Sequence, residues 1–319
     1  MNTRPRPWLR VLLPVLAAAA LMLGAVACTA APDRASSARA PRAASAASHT
    51  SVAKCNPYAV SLRPLSGPPQ VTQGSFMMKI RARGYLIAGV DQNTYDFGFR
   101  NPFNGQIEGF DIDMIKAVAQ AIFGDPNKVV YKAIPDSERQ SAVYSGAVDI
   151  VAHTMTILCK RLQNPDPVDF SSVYFNAAQK VLVLKGSKAT SLADLRGQKV
   201  CATSGADSLA RIIAAKATPV PVQYWTDCLV LLQQGDVAAI STDDAILAGL
   251  KAQDPWTTIV GPPVSHEPYG LAISKQHPDF VRFVNAVLEQ VRTDGQWAAS
   301  YRHWIGSSAP NPPQPQYAD

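Results

Sequence analysis

The sequence predicts an α/β protein folded as two lobes joined by a pair of crossing strands. From Lys79 onward, short apolar strands alternate with helical segments, the pattern of a mostly parallel sheet. The alternation runs twice, breaking after the VDFS turn (168–171), and the section from Tyr269 reads as a return to the first series. A single dinucleotide-binding sheet is the competing reading, but no glycine-rich phosphate loop follows an early strand.

In the first series LIAGVD (86–91) reads as a strand. FDIDMIKAVAQAIF (110–123) is a helix because Ile112, Ile115, Val118, Ala119 and Ile122 recur at helical spacing, and Gly124 stops it. A strand over 129–133, a short helix over 137–145 and a strand over 148–152 follow. The second series opens with KVLVLK (180–185) and the turn SLADL, capped by Ser191, which leads into the strand KVCAT (199–203). Next come a helix over about 206–217, a strand over 220–224, a helix over 226–234, a strand over 237–241 and a helix over 244–252. YGLAIS (269–274) is a strand again. The last long helix, over about 278–293, has Pro278 in its first turn and buries Phe280, Val281, Val284, Val287, Leu288 and Val291.

Residues 1–27 have the layout of an export signal: Arg4, Arg6 and Arg10, an apolar stretch from Val11 to Val26, and small residues before Cys28. The apolar stretch contains Pro14 and is shorter than the ~20 residues that span a bilayer, so cleavage is expected rather than a membrane helix. Ala25-Val26-Ala27-Cys28 resembles a bacterial lipobox with alanine in place of the usual leucine, which makes Cys28 the expected lipidation site. Residues 28–75 then form a tether and N-terminal segment, since the Ala-, Ser-, Arg- and Pro-rich start lacks periodicity and cannot bury enough surface to order itself. The formal charge is +6, but residues 1–54 carry seven basic side chains against Asp33 alone. The remainder holds 23 of each sign and gives no electrostatic case for nucleic acid. With Cys28 assigned to lipid, Cys55, Cys159, Cys201 and Cys228 remain, an even count that favours two disulfides in an exported protein while leaving three connectivities open. No CxxC pair exists and the five histidines are scattered, so neither a metal nor a cofactor is expected.

The densest chemistry lies in Val148–Tyr174. Strand tips of open α/β sheets are where ligands bind, because backbone groups there face a crevice. Thr154, Thr156 and Arg161 at such a tip look like a carboxylate receptor; the alternative is an ordinary buried strand followed by surface polar residues.

Eight blocks in order carry a resemblance: GYLIAGVD (84–91), GQIEGFDIDMIKAVA (105–119), SGAVDIVAHTMTILCKR (145–161), VDFSSVY (168–174), SLADLRGQKVCATSGADS (191–208), QQGDVAAISTDDAIL (233–247), YGLAIS (269–274) and DGQWAASYRHWIG (294–306). With them the chain resembles the type 3 periplasmic solute-binding proteins, the polar amino acid receptors of ABC importers. The Arg100-Asn101-Pro102 run and the cysteines Cys201 and Cys228 are similar to those of actinobacterial glutamate and glutamine receptors. The resemblance implies a type II periplasmic-binding-protein fold: lobe one over 76–178 plus 265–306, lobe two over 181–262, and two crossover strands at the hinge near Asn176–Val181 and Val264–Tyr269. Residues 307–319 are expected to be a disordered Pro-rich tail.

The resemblance also implies roles. Arg161 falls where the family's arginine grips the ligand α-carboxylate, a task that suits a guanidinium fork, with Thr154 and Thr156 adding bonds. Asp243 falls where the family's aspartate takes the ammonium group, and Asp244 beside it is expected to cap the following helix. The turn at Ser204, Gly205 and Ala206 opens a helix whose free N–H groups suit a carboxylate; Ala206 replaces the usual Thr or Ser, so only backbone donation is expected there. Arg139 aligns with an arginine that acidic amino acid receptors use for a distal carboxylate; burying it without an anion is costly, which favours glutamate or aspartate over glutamine or asparagine. Its alternative is a solvent-facing arginine paired with Glu138 or Asp136. Asp91, Tyr95, Phe97 and Tyr174 are expected as walls or as core. His153 stands where the family usually has a small residue. Relatives imply a Cys201–Cys228 bond, which leaves Cys55 for Cys159.

The expected function is an exported monomeric lipoprotein that binds a polar amino acid and delivers it to an ABC permease, or alternatively reports it to a membrane sensor protein. A cyclohexadienyl-dehydratase-like enzyme is the remaining alternative. Asp243 and Glu108 are its only nominees for proton transfer, and no catalytic motif supports them.

Overall fold

The computed structural model describes residues 55–163 and 166–319. The export signal, Cys28 and the start of the tether lie outside the described residues.

Lobe one begins with α1 (Phe76–Arg83), whose N-cap Ser75 accepts from the Met78 N–H and whose end is closed by Gly84 at φ 92°. The chain then makes β1 (Leu86–Val90), a small antiparallel unit of β2 (Asn93–Thr94), β3 (Gly98–Arg100) and β4 (Ile107–Glu108), and α2 (Phe110–Phe123). All five periodic apolar residues of α2 have no exposure, and Gly124 ends it in the left-handed conformation. Ahead of it Gly109 sits at φ 134°, where a Cβ would lie 2.2 Å from the Phe97 carbonyl oxygen, so only glycine fits. There follow β5 (Val129–Ala133), α3 (Arg139–Tyr144), β6 (Ile150–Ala152) and β7 (Val168–Phe170).

The chain crosses to lobe two in β8 (Phe175–Leu184), then builds β9 (Lys199–Thr203), α4 (Ser208–Ala214), β10 (Thr218–Val222), α5 (Trp225–Gln234), β11 (Ala239–Asp243) and α6 (Asp244–Gln253). It returns in the long β12 (Thr257–Tyr269) and completes lobe one with β13 (Ala272–Ser274), α7 (Pro278–Thr293) and α8 (Gln296–Trp304). The lobe-one sheet has the order β5-β1-β6-β13-β7, and the lobe-two sheet β10-β9-β11-β8-β12. In each, the first three strands run parallel and the strand that follows them is antiparallel. The crossing is itself an antiparallel ladder: Phe175–Gln179 pair with Tyr269–Ser265, the register shifts between Val260 and Ser265, and Val181–Leu184 pair with Val260–Thr257. Such an irregularity bends a strand where it leaves one lobe for the other.

Each lobe has its own core. Phe97, Phe110, Tyr174, Tyr269 and Trp297 pack inside lobe one, and Trp225, Leu232, Ile240 and Leu247 inside lobe two. Cys201–Cys228 ties β9 to α5, and Cys55–Cys159 ties the N-terminal segment to the loop after β6.

Several elements differ from the sequence expectation. The helix expected over 206–217 shortens to α4, because Ala206 and Asp207 form the turn ahead of it. The strands expected over 220–224 and 237–241 occupy 218–222 and 239–243. Ser191 does not cap its turn by accepting a bond; its hydroxyl donates to Asp194. Residues 307–319 are not disordered. Tyr317 bridges to Ser61, the Ala318 N–H donates to the Ser61 carbonyl at 2.8 Å, and Asp319 pairs with Arg282 at 2.6 Å and accepts from the Arg63 N–H at 2.7 Å. Its partners lie more than a hundred residues away or on another helix, so composition held no sign of them.

Candidate functional site

The C-terminal ends of β6 and β11 face each other across the lobes around a narrow void of about 10 Å³. Thr154, Thr156, Arg161, Asp136 and Arg139 line it from lobe one; Ala206, Asp207, Ser208, Trp225, Thr242, Asp243 and Ile246 line it from lobe two.

Arg161 rides on a single 3-10 turn (Cys159–Leu162) and is 4 % exposed. Its Nη1 donates to the Thr156 carbonyl at 2.5 Å and its Nη2 reaches the Gly205 carbonyl of lobe two at 3.4 Å. Burial, with Arg139 nearby, pulls it down to about 10, so it remains a cation at neutral pH. Thr154 has φ 42°, held there by its N–H donating to Asp111 Oδ2 at 2.7 Å, and its buried hydroxyl has no partner. Asp111 is pushed up to about 6 by burial, against the bond it receives from the Tyr174 hydroxyl at 2.6 Å. Tyr174 is therefore a support beneath the site rather than a wall of it.

Asp243 is the last residue of β11 and is 5 % exposed. It accepts from the Tyr269 hydroxyl at 2.7 Å, and burial together with Glu267 and Asp207 holds its carboxyl well above the usual range. An adjacent cation would relieve that cost. Asp244 does not cap α6. It is the first helical residue, and its Oδ1 accepts from the Ala178 N–H on β8 at 3.0 Å; Asp243 holds the cap position without a capping bond.

Arg139 is buried, as a ligand role needs, but it is not without an anion. Its Nη1 lies 3.1 Å from Asp136 Oδ1 and donates to the His153 carbonyl at 3.0 Å. Its Nε donates to the Asp136 carbonyl at 3.0 Å, and its Nη2 meets the Gly205 carbonyl at 3.5 Å. Asp136 also accepts from the Thr203 hydroxyl of lobe two. The alternative of a solvent-facing Arg139 is excluded by its 4 % exposure.

Four expected residues stand apart from the void. Asp91 closes its own turn, accepting from the N–H groups of Gln92 and Asn93 and from the Thr94 hydroxyl. Tyr95 is 40 % exposed, with its ring against Phe99. Ser204 is exposed and its N–H donates to the Val222 carbonyl. Phe97 is core. Gly205 brings its backbone to the lobe-one turn, and the Ala206 N–H donates to the Thr203 carbonyl, so the expected anion-binding N–H groups are partly engaged. Glu108 accepts from Asn101 and does not line the void.

Sequence reasoning missed Asp207, Ser208, Trp225, Thr242 and Ile246, and named Asp136 only as an alternative partner of Arg139. Asp207 lay inside the SGADS turn already singled out. It forms an ion pair with Arg211, which also reaches Glu267 on β12 at 2.8 Å. Burial pushes the Asp207 carboxyl up, but Arg161 and Arg211 outweigh it and hold it low. Asp136 precedes Arg139 by three residues, the spacing that lets the two side chains pair.

Residues 86–307 match the family of bacterial extracellular solute-binding proteins, family 3. The chain is 36 % identical over 229 residues to the ABC transporter glutamine-binding protein GlnH of Bacillus subtilis, covering 71 % of this chain and 83 % of that one. It is 27 % identical to the glutamate/aspartate import solute-binding protein of Escherichia coli, covering 74 % and 82 %. Among solved structures, an ancestral arginine-binding protein bound to glutamine matches with a TM-score of 0.65 at 34 % identity, covering 70 % of this chain and 99 % of that one. The cysteine-binding protein of Campylobacter jejuni shares the fold, with a TM-score of 0.69 at 22 % identity over 73 % and 94 %. The order of the two sheets, the paired crossing strands and a buried arginine facing a buried aspartate across the lobes agree with this match, and the chain belongs to the bacterial extracellular solute-binding proteins of family 3.

Proposed function

We propose that the protein is an exported lipoprotein, anchored through Cys28, that binds a polar amino acid between its lobes and delivers it to an ABC importer. One observation carries the reading: Arg161 from lobe one and Asp243 from lobe two, both buried, line the same void from opposite sides. A zwitterion answers both, its carboxylate on the guanidinium and its ammonium on the aspartate. Contact with both lobes is what lets a ligand favour the closed form. Arg139 lines the void but already has Asp136 as its anion, so the proposed ligands are glutamate, aspartate, glutamine and asparagine; relatives named for glutamine and for glutamate/aspartate support that range.

Calorimetry with these four amino acids tests the reading. At least one is expected to bind at micromolar affinity or tighter, about −8 kcal/mol or better. Arg161→Ala is expected to weaken it by roughly a hundred-fold or more, since removing one partner of a buried charge pair leaves the other uncompensated. Full affinity in that variant overturns the assigned carboxylate site.

A further inference from the structure

His153 lies immediately behind the Arg139–Asp136 pair and is 2 % exposed. Its Nε2 is 2.9 Å from the Ile134 carbonyl oxygen. A carbonyl only accepts, so Nε2 carries a hydrogen. Its Nδ1 is 3.3 Å from Asp136 Oδ1. Neither of these buried atoms forms a hydrogen bond. In a neutral ring Nδ1 would present a lone pair to a carboxylate oxygen; a hydrogen on Nδ1 replaces that repulsion with the attraction of an ion pair.

With that hydrogen in place Asp136 faces two cations, His153 and Arg139, as well as the Thr203 hydroxyl. One negative charge against two positive ones leaves one over. Arg139 and Asp136 both line the void, and Arg139 Nη2 hydrogen-bonds only the Gly205 carbonyl, at the long limit of a hydrogen bond.

We infer that His153 sets the choice between acidic and amide ligands: its imidazolium neutralises Asp136 and frees Arg139 for a second carboxylate, whereas its neutral ring leaves Asp136 to Arg139 and favours a carboxamide. The inference rests on the binding site proposed above and adds to it a specificity-determining residue that does not itself touch the ligand.

The charged groups around His153 are Asp136 and Arg139 from the turn into α3, Asp111 from α2 and Arg161 from the loop after β6. Asp111, raised to about 6 by burial, titrates in the same window. Its protonation also leaves more positive charge at low pH, so the wild-type pH profile needs a variant beside it.

The test is calorimetry of the full chain with glutamate and with glutamine from about pH 5.5 to about pH 8, the range in which histidine changes charge and neither ligand does. The ratio of glutamate to glutamine affinity is expected to fall by roughly ten-fold across it, as a nearby buried charge is lost. In His153→Gln the ratio is expected to shift toward glutamine and to keep only the smaller slope that Asp111 supplies. A flat wild-type ratio, or a slope in the variant as steep as in the wild type, overturns the inference. Nitrogen NMR of the His153 ring in the wild type gives a readout that does not depend on the variant folding: an imidazolium at the acid end is expected, and a neutral ring there overturns the inference. Binding with a flat ratio removes this inference alone; binding of no amino acid removes the proposed function with it.

Discussion

Thr154 places a buried hydroxyl in the void with nothing to bond, on a backbone whose φ of 42° β-branched residues avoid. The Asp111 carboxylate pins its N–H, and Tyr174 pins Asp111, so three residues hold one strained position in place. Strain kept at the rim of a cleft makes sense when the side chain it aims has a partner to meet. Thr154→Val keeps the shape and removes only the hydroxyl. Stability without ligand is expected to be unchanged or slightly higher, because no internal bond is lost, while ligand affinity falls by roughly ten-fold, about 1.4 kcal/mol. Denaturant melts and calorimetry on the same preparation separate the two effects.

At the scale of elements, the turn between β9 and α4 presses on the turn that leads into α3. Gly205 has φ 87°, and a Cβ there would lie 2.7 Å from Ser137 Cα and 2.8 Å from its nitrogen. Both are backbone atoms, so the clash is relieved by parting the lobes rather than by a side-chain shift. Gly205→Ala is expected to fold, at a cost of about 1–2 kcal/mol for the left-handed residue, and to bind its ligand about ten-fold or more weakly because closure now meets a steric penalty. Circular dichroism checks the fold and titration the affinity; unchanged affinity would show that this contact is not made in the bound form. The hinge ladder between β8 and β12 is tied to lobe two by Asp244, whose carboxylate holds the Ala178 N–H.

For the whole molecule, each lobe has its own sheet and core, and the void between them is lined mainly by charged and hydroxyl side chains, with Ala206, Trp225 and Ile246 among them. A ligand that binds only the folded protein stabilises it by mass action, about 2.7 kcal/mol at a hundred-fold excess over Kd. For a chain of this size that is a rise in melting temperature of roughly 5–10 °C. Thermal scans with glutamate, aspartate, glutamine and asparagine are expected to show it for the ligands that bind in calorimetry, and no rise with any of them would contradict a lobe-bridging site.

Local signals on the chain were enough for some parts. The bounds of α2 and α7 follow from apolar periodicity closed by Gly124 and opened by Pro278. Arg161 and Thr154 stood out because strand ends and the turns after them are short-range features, whereas Asp243 was marked by the family resemblance; the structure brings all three to one void. Asp91 is taken up by its own turn, the Ser204 N–H by a sheet bond, and the exposed Tyr95 packs on Phe99. The full length of β12 was hidden because its burial changes as it passes from one lobe to the other. The sequence by itself determined the alternation of strands and helices, the two series and the chemistry at the strand tips, since all of these depend on neighbours a few residues apart. Only the tertiary structure decided that Asp136 also faces His153, that Asp207 stands across the void from Arg161, and that the C-terminal segment lies along Ser61 and Arg63. These pairings join segments distant in the chain, and a buried charge takes its role from whatever counter-charge the fold brings beside it.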